Sequence, residues 1–311
     1  MLLAGCSGPA GDRESASPAP AVGRIASADP GSVNTFWLRT PRGLVVVDAQ
    51  RSLSDARRAL AAIRGTGDPV AAILITHGHP DHVGGVGVLH DAYPAAPIHS
   101  SEATAAWMRA DPLHFYEITR KLPGADYAPE LTYPDHTFAP GATLDVGGVR
   151  LETAEFGPGE TETATAYYEP RSGALFAGDL VANRATPALL EGHVCGWLTD
   201  LDRLRTRFPH ARTLYPGHGA PGDAADLIER QRTYLEDFRR LVRPTVRPDS
   251  PAGRKVSPDE QRSIIADLGR AYPGYPSVAS LPTLMQENVK SVARELLEED
   301  PAELPPACRD V

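Results

Sequence analysis

Lysine is nearly missing from this 311-residue chain: Lys121, Lys255 and Lys290 are three of its 31 basic residues, and the rest are arginine. With heavy use of Ala, Gly and Pro, this marks a genomic compositional bias and carries no functional meaning. Cysteine is equally scarce. Cys6, Cys195 and Cys308 are too few and too scattered for a disulfide framework or a cysteine-rich zinc site. No run of about 18 apolar residues occurs, which excludes a spanning helix. Surplus positive charge is also absent. A formal net charge of −9 argues against a general nucleic-acid binder, which needs basic surface to displace counterions from phosphates. The expected partner is instead a small molecule, and an acidic one would need a local positive centre. What remains is ordinary: 41% hydrophobic and 23% charged residues exclude a fibrous or mainly disordered chain. The length suits one large domain with an appendage and allows a core that needs no staples.

The first cysteine is informative. Leu3-Ala4-Gly5-Cys6 resembles the lipobox of bacterial lipoproteins, in which the cysteine is lipidated and becomes the mature N-terminus. From there to residue 31 the chain runs through Ser, Gly, Pro and Ala with few apolar side chains, a composition that cannot bury enough surface to fold. Residues 1–31 are therefore expected to form a lipoprotein-like leader and flexible tether, with a lipid anchor at Cys6 and a membrane-anchored, extracytoplasmic address. A cytoplasmic chain with a disordered leader is the alternative. The stretch before Cys6 lacks a positive n-region and nearly all of an h-region, which a truncated or misassigned start would explain. In an exported chain Cys195 and Cys308 could pair, although sequence does not give their distance.

From residue 33 onward, short apolar runs alternate with helical periodicity, the sign of α/β architecture. Residues 33–39 and 44–48 read as a hairpin across Thr40-Pro41-Arg42-Gly43. Ser54 is the expected cap of a helix carrying Ala56, Leu60, Ala61 and Ile63, and a buried strand over 70–76 follows. Helical signals cover 83–93 and 101–109, and strand runs broken by Gly147-Gly148 and by 170–173 occupy 142–176. After a strand at 213–215 the pattern turns helical, over 224–242, 258–272 and 284–297, with a proline-rich linker at 243–251. These last helices are expected to cover a cleft or to form a dimer face.

The end of the 70–76 strand carries the chemistry. Thr76-His77-Gly78-His79-Pro80-Asp81-His82 places four ligand-type side chains within six residues. Imidazole and carboxylate are the donors that zinc and similar divalent metals take, and a loop leaving a strand can aim alternate side chains into one cleft. With ten histidines in the whole chain, a chance H-x-H-x-D-H is rare, although any single motif carries some risk.

This segment resembles the signature of the metallo-β-lactamase superfamily, and later stretches resemble that family's other motifs in order. Leu175-Phe176-Ala177-Gly178-Asp179 is similar to the strand whose final aspartate bridges two metals, and Tyr215-Pro216-Gly217-His218-Gly219 to the turn bearing the last histidine ligand. The run Leu44 to Asp48 resembles the strand whose aspartate supports the metal loop from behind. The resemblance covers about 33–222 and implies a four-layer αββα sandwich over 32–222, followed by a C-terminal helical region over 223–311. There is one departure. The family's Gly-His-Thr reads Gly159-Glu160-Thr161 here. Carboxylate is a legitimate zinc ligand, so the implied first site is His77, His79 and Glu160. The second is Asp81, His82 and His218, with Asp179 as the bridge. Glu162, two residues on along an expected strand, could replace Glu160. If neither glutamate binds, a single metal is left.

Two divalent cations carry four positive charges, and Asp81, Asp179, Glu160 and a bridging hydroxide carry four negative ones. Such a neutral centre is a weaker Lewis acid, and the harder oxygen donor moves preference from zinc towards manganese or iron. The implied activity is metal-dependent hydrolysis of an ester, thioester, lactone or related bond, with Asp81 handling the proton. The pair Asp81-His82 with Asp179 resembles the glyoxalase II, lactonase and phosphodiesterase type; neither Cys195 nor Cys308 stands where many β-lactamases place a cysteine. The lactonase pattern is incomplete, because Leu180-Val181-Ala182-Asn183 follows Asp179 without a tyrosine. Two alternatives stand beside this reading. His77, His79 and Glu160 could form the triad of a mononuclear non-haem iron dioxygenase acting on a thiol or persulfide, or the protein could be a non-catalytic metal-binding lipoprotein. His193 lies on a loop that could overhang the metals. For His114-Phe115-Tyr116 core packing is the better expectation than a pocket wall.

Overall fold

The computed structural model describes residues 21–122, 124–246, 256–278 and 281–309. Cys6 with its lipobox-like stretch lies outside the described residues, as do residues 247–251 of the expected linker. The first sheet runs in the order β1 (Val22–Ala26), β2 (Asn34–Thr40), β3 (Gly43–Val47), β4 (Val70–Leu74), β5 (Ile98–Ser101) and β6 (His136–Phe138). Its first two pairings are antiparallel and the rest parallel. The second sheet contains β7 (Thr143–Val146), β8 (Val149–Phe156), β9 (Ala164–Glu169), β10 (Ala174–Ala182), β11 (Thr213–His218) and β12 (Gly222–Asp223), antiparallel except where β11 joins β10. Nine helices are placed among the described residues: α1 (Leu53–Arg64), α2 (Pro80–Val83), α3 (Val86–Ala92), α4 (Glu102–Ala110), α5 (Phe115–Lys121), α6 (Val194–Arg207), α7 (Ala224–Val242), α8 (Pro258–Ala271) and α9 (Leu284–Glu298). No helix among the described residues is long and apolar enough to cross a membrane.

Period-two alternation explains the layering. Leu44 and Val46 of β3, with Ile73 of β4, face outward onto α1, α3, α4 and α5, through Ile63, Leu89, Met108 and Tyr116. Val45, Val47 and Leu74 face inward and meet Leu151, Tyr167 and Phe176 of the second sheet. The outer face of that sheet, including Leu175 and Ala177, is covered by α6 to α9 through Trp197, Leu235, Leu268 and Val292. The result is the αββα sandwich. The C-terminal helices complete its fourth layer.

Two expectations are corrected here. Residues 22–26 are not tether: β1 pairs with β2 from Val22↔Leu38 to Ala26↔Asn34, and Gly23 lies where a Cβ would strike the Trp37 ring. The cap of α1 is Ser52, whose hydroxyl accepts from the Asp55 N–H at 3.0 Å, and not Ser54. Cys195 of α6 and Cys308 are joined as a disulfide with Cα atoms 5.7 Å apart, tying the C-terminal segment to the fourth layer.

Candidate metal centre

The site forms where strands end. Asp48 follows β3, residues 75–79 and then α2, which carries Asp81 and His82, follow β4, Glu160 lies between β8 and β9, Asp179 is in β10 and His218 closes β11. Donor atoms of His77, His79, Glu160 and Asp179 lie within 4.8 Å of one another, and those of Asp81, His82, Asp179 and His218 form a second such group. His79 Nδ1 is 3.1 Å from Glu160 Oε1, and His77 Nε2 is 3.6 Å from Glu160 Oε2. Asp179 stands between the groups, 3.2 Å from His82 Nε2 through Oδ1 and 3.1 Å from His218 Nε2 through Oδ2. Asp81 Oδ2 is 3.2 Å from His218 Nε2.

Glycines make this closeness feasible. A Cβ on Gly217 would sit 1.8 Å from Asp179 Oδ1, and one on Gly178, whose φ is +52°, would meet the Thr76 hydroxyl at 2.6 Å. Asp48 adopts a φ of 58°, and its carboxylate accepts from the Thr76 N–H at 2.9 Å and the Thr76 hydroxyl at 2.8 Å.

Each of the four histidines is tied at one ring nitrogen to an acceptor outside the donor groups. His82 Nδ1 donates to Asp48 Oδ2 at 2.7 Å and His218 Nδ1 to the Gly31 carbonyl at 2.7 Å. His77 Nδ1 donates to the Thr76 hydroxyl at 3.0 Å, which passes its own proton to Asp48. His79 Nε2 donates to Glu191 Oε1 at 2.9 Å. In the neutral rings these bonds set the tautomers, leaving a lone pair on the nitrogen that faces the cluster. His77 Nε2, His82 Nε2, His218 Nε2, Glu160 Oε2 and Asp179 Oδ1 are buried with no hydrogen-bond partner. Lone pairs facing lone pairs in a buried space are costly unless a cation reconciles them, and this donor set suits divalent metals.

Burial pushes the Glu160 carboxyl up to about 7. Burial also acts to raise Asp179, but the facing His218 and His82 outweigh it and hold Asp179 well below the usual carboxylate range. Burial, with neighbouring His82 and His79, holds His77 well below an ordinary imidazole. Burial acts to lower His79, His82 and His218, but the facing carboxylates, Glu160 for His79 and Asp179 for the other two, outweigh it and raise all three imidazoles, so an ion that binds here displaces protons from these rings.

A cleft of about 300 Å³ opens over these groups, lined by His79, Asp81, Glu160 and Asp179 together with Arg51, Phe115, Leu190 and Glu191. Val278 and Leu281, between α8 and α9, complete a wall, so the C-terminal region does reach the cleft. Glu162 is a correction: residues 159–163 are not strand, its side chain is exposed, and it shares no face with Glu160. His193 precedes α6 and is not among the lining residues, whereas Glu191 two positions earlier is. Phe115 lines the cleft, while Tyr116 is core and donates to the Gly78 carbonyl at 2.5 Å.

The loop leading to Glu191 is held by α9, and the Glu191 carboxylate also accepts from the Glu162 N–H at 3.1 Å. Asn288 donates to the Pro187 carbonyl and accepts from the Leu189 N–H, each at 2.8 Å. Ser291 donates to the Leu190 carbonyl at 3.1 Å. Glu295 accepts from the N–H groups of Val194 and Cys195 at 2.9 and 2.7 Å, satisfying the start of α6. Buried Arg239 balances Glu295 at 3.2 Å.

An αββα sandwich with histidine and carboxylate donors gathered at its strand ends defines a metallo-hydrolase class of protein. The chain belongs to the metallo-beta-lactamase superfamily, whose profile matches residues 28–218, and it is an enzyme of that superfamily's hydrolase kind. It is similar to a hydroxyacylglutathione hydrolase of Synechococcus, 28% identical over 65% of this chain and 75% of that one. A metallo-beta-lactamase type 2 of Bacteroides fragilis is 29% identical over 35% of this chain and 44% of its own. A beta-lactamase domain protein of Burkholderia ambifaria shares the fold, with a TM-score of 0.65 and 18% identity across 90% of this chain and 86% of that one.

Proposed function

We propose that this protein hydrolyses an ester, thioester, lactone or related bond with two divalent cations, zinc by default, held by His77, His79, Glu160 and Asp179 and by Asp81, His82, Asp179 and His218. The observation that carries this reading is the set of buried, unpartnered donor atoms converging from these side chains. When bound, such ions acidify a shared water and polarise the bond under attack. Asp81 has the most open side chain of the set, 24% exposed, and lines the cleft. From there its carboxylate takes a proton from the attacking water and returns it to the leaving group. The anchored histidines hold their donor atoms in place throughout, and Glu160, which stands where the family's usual histidine would be, adds negative charge. Metal analysis of protein purified without chelator tests the reading. About two ions per chain, with ester or thioester hydrolysis lost on chelation, is the expected result. One iron per chain with thiol-dependent oxygen uptake would replace it with the dioxygenase alternative that the His77, His79 and Glu160 triad allows.

We also infer an extracytoplasmic address. Its support is the Cys195–Cys308 disulfide, a bond that persists in oxidising compartments. Recovery of the protein in a membrane fraction, released by detergent and lost in a Cys6→Ser variant, is expected of a lipid-anchored chain.

A further inference from the structure

Five large hydrophobic side chains are exposed among the described residues, and three of them, Ile118 at 53%, Leu122 at 45% and Leu281 at 37%, line the one cleft above the donor groups. Concentrated apolar exposure of this kind marks a binding surface rather than ordinary surface texture. Phe115, Leu190 and Val278 continue the apolar wall inward.

Arg51 lines the same cleft. Its guanidinium makes no hydrogen bond or ion pair with any described residue, although it stands in the same lining as Asp81. Its backbone is fixed from both sides. The Ala49 N–H donates to the His82 carbonyl and the Gln50 carbonyl accepts from Gly85, each at 2.9 Å. The Gln50 side chain donates inward to the Val33 carbonyl at 3.1 Å and to Thr35 at 3.0 Å. The loop therefore presents Arg51 at a set position. Apart from His79 it is the one basic side chain in the lining, where Asp81, Glu160 and Asp179 belong to the donor groups and Glu191 is engaged by His79 and the Glu162 N–H, so no carboxylate is bonded to its guanidinium. An unpaired guanidinium in a recess is a recognition element for carboxylate or phosphate oxygens.

We propose that the cleft selects a small amphiphile: a substrate bearing an anionic group held by Arg51 and an apolar chain held against Phe115, Ile118, Leu122, Leu190, Val278 and Leu281. That the chain is joined through a hydrolysable bond rests on the function proposed above. The volume, at the low end for ligand sites, limits the occupant to a compact molecule.

The test is calorimetric binding to the metal-loaded protein, which needs no turnover. The probes are N-acylglycines with acyl chains of two to eight carbons and their neutral N-acylglycinamides. Each added methylene is expected to tighten binding about three- to fourfold until the cleft is filled, and the carboxylate to exceed the amide by about tenfold. Arg51→Met, which keeps an apolar stem, abolishes the carboxylate preference and leaves the chain-length dependence; Arg51→Lys restores part of the preference. Ile118→Asn with Leu281→Asn does the opposite. A flat chain-length series overturns the proposal. So does a carboxylate preference that survives in Arg51→Met, because the anion then sits on the metals. Binding that follows the expected pattern, with no ester, thioester or lactone hydrolysed, removes the hydrolase reading and leaves the amphiphile site standing.

Discussion

His82 in α2 and His79 at its N-cap are three residues apart, yet they are anchored by different parts of the chain. His82 leans on Asp48, and its partner His218 on the Gly31 carbonyl, both belonging to the first-sheet half of the sandwich. His79 leans on Glu191, in a loop suspended from α9 by Asn288 and Ser291. The Asp81, His82 and His218 group is thus fixed by the sandwich. In the His77, His79 and Glu160 group, His77 also rests on Asp48 through Thr76, but His79 depends on a helix from the last thirty or so residues of the described chain. The C-terminal region is part of the machinery, and the two halves of the centre should fail in different ways.

Asp179 belongs to both halves, so Asp179→Ala should erase the distinction and have the largest effect. Metal content by mass spectrometry is expected to fall below one ion per chain, and hydrolysis to fall by a thousandfold or more, about 4 kcal/mol. Retention of two ions would mean that Asp179 is not shared. Asp48→Ala comes next. Asp48 holds His82 directly and His77 through Thr76, so both metals should weaken, by about 10- to 100-fold in affinity. A loss confined to the second group would show that the Thr76 relay does not matter.

The sharper test of the comparison is Glu191→Gln. The amide still reaches His79 but removes the charge that fixes the ring. A loss of about tenfold in affinity is expected for the first metal alone, with the second unchanged, read by stepwise chelator competition. Equal weakening of both ions would break the distinction between the halves.

Legibility in sequence divides along the same line. Asp81 and His82, with His77 and His79, sit in one motif after an apolar strand and are exposed by its spacing, whereas Asp48, Asp179 and His218 are picked out by the resemblance of their strand ends to the superfamily's motifs. The helix over 224–242 is read to its ends because its apolar spacing is long and strict. Glu191 has no motif. Its carboxylate reaches His79 and the Glu162 N–H from a loop whose preceding residues are bonded to α9, about a hundred residues downstream, and the neighbouring His193 draws attention by residue type alone. Arg51 is hidden for a related reason, since nothing in its local sequence says that its guanidinium lacks a partner. Strand β1 is obscured by its composition: Gly23 and Arg24 sit beside a stretch rich in Pro, Ala and Ser, and the strand forms because β2 offers an edge and Trp37 fills the space over Gly23. Helix α6 carries a usable signal, with Val194, Trp197, Leu198, Leu201 and Leu204 buried at helical spacing, but Gly196 and the absence of a capping side chain blur its start. Glu295 supplies the missing cap from outside.

The smallest effect on the centre is expected from breaking the disulfide, although it spans 113 residues. A closed loop of that size contributes on the order of 3–5 kcal/mol to stability. Cys308→Ser should therefore lower the melting temperature by about 5–15 °C. The start of α6 is held independently by Glu295, and Glu191 hangs on Asn288 and Ser291, so neither contact needs the bridge while the chain is folded. First-metal affinity should stay within about twofold of the unmodified protein, far less than the tenfold expected of Glu191→Gln. A loss matching that of Glu191→Gln would mean that the covalent tie, rather than the α9 hydrogen bonds, keeps the C-terminal region on the site. The dependence of the first group would then be redox-controlled, whereas the second, built within the sandwich, would stay insensitive to reductant.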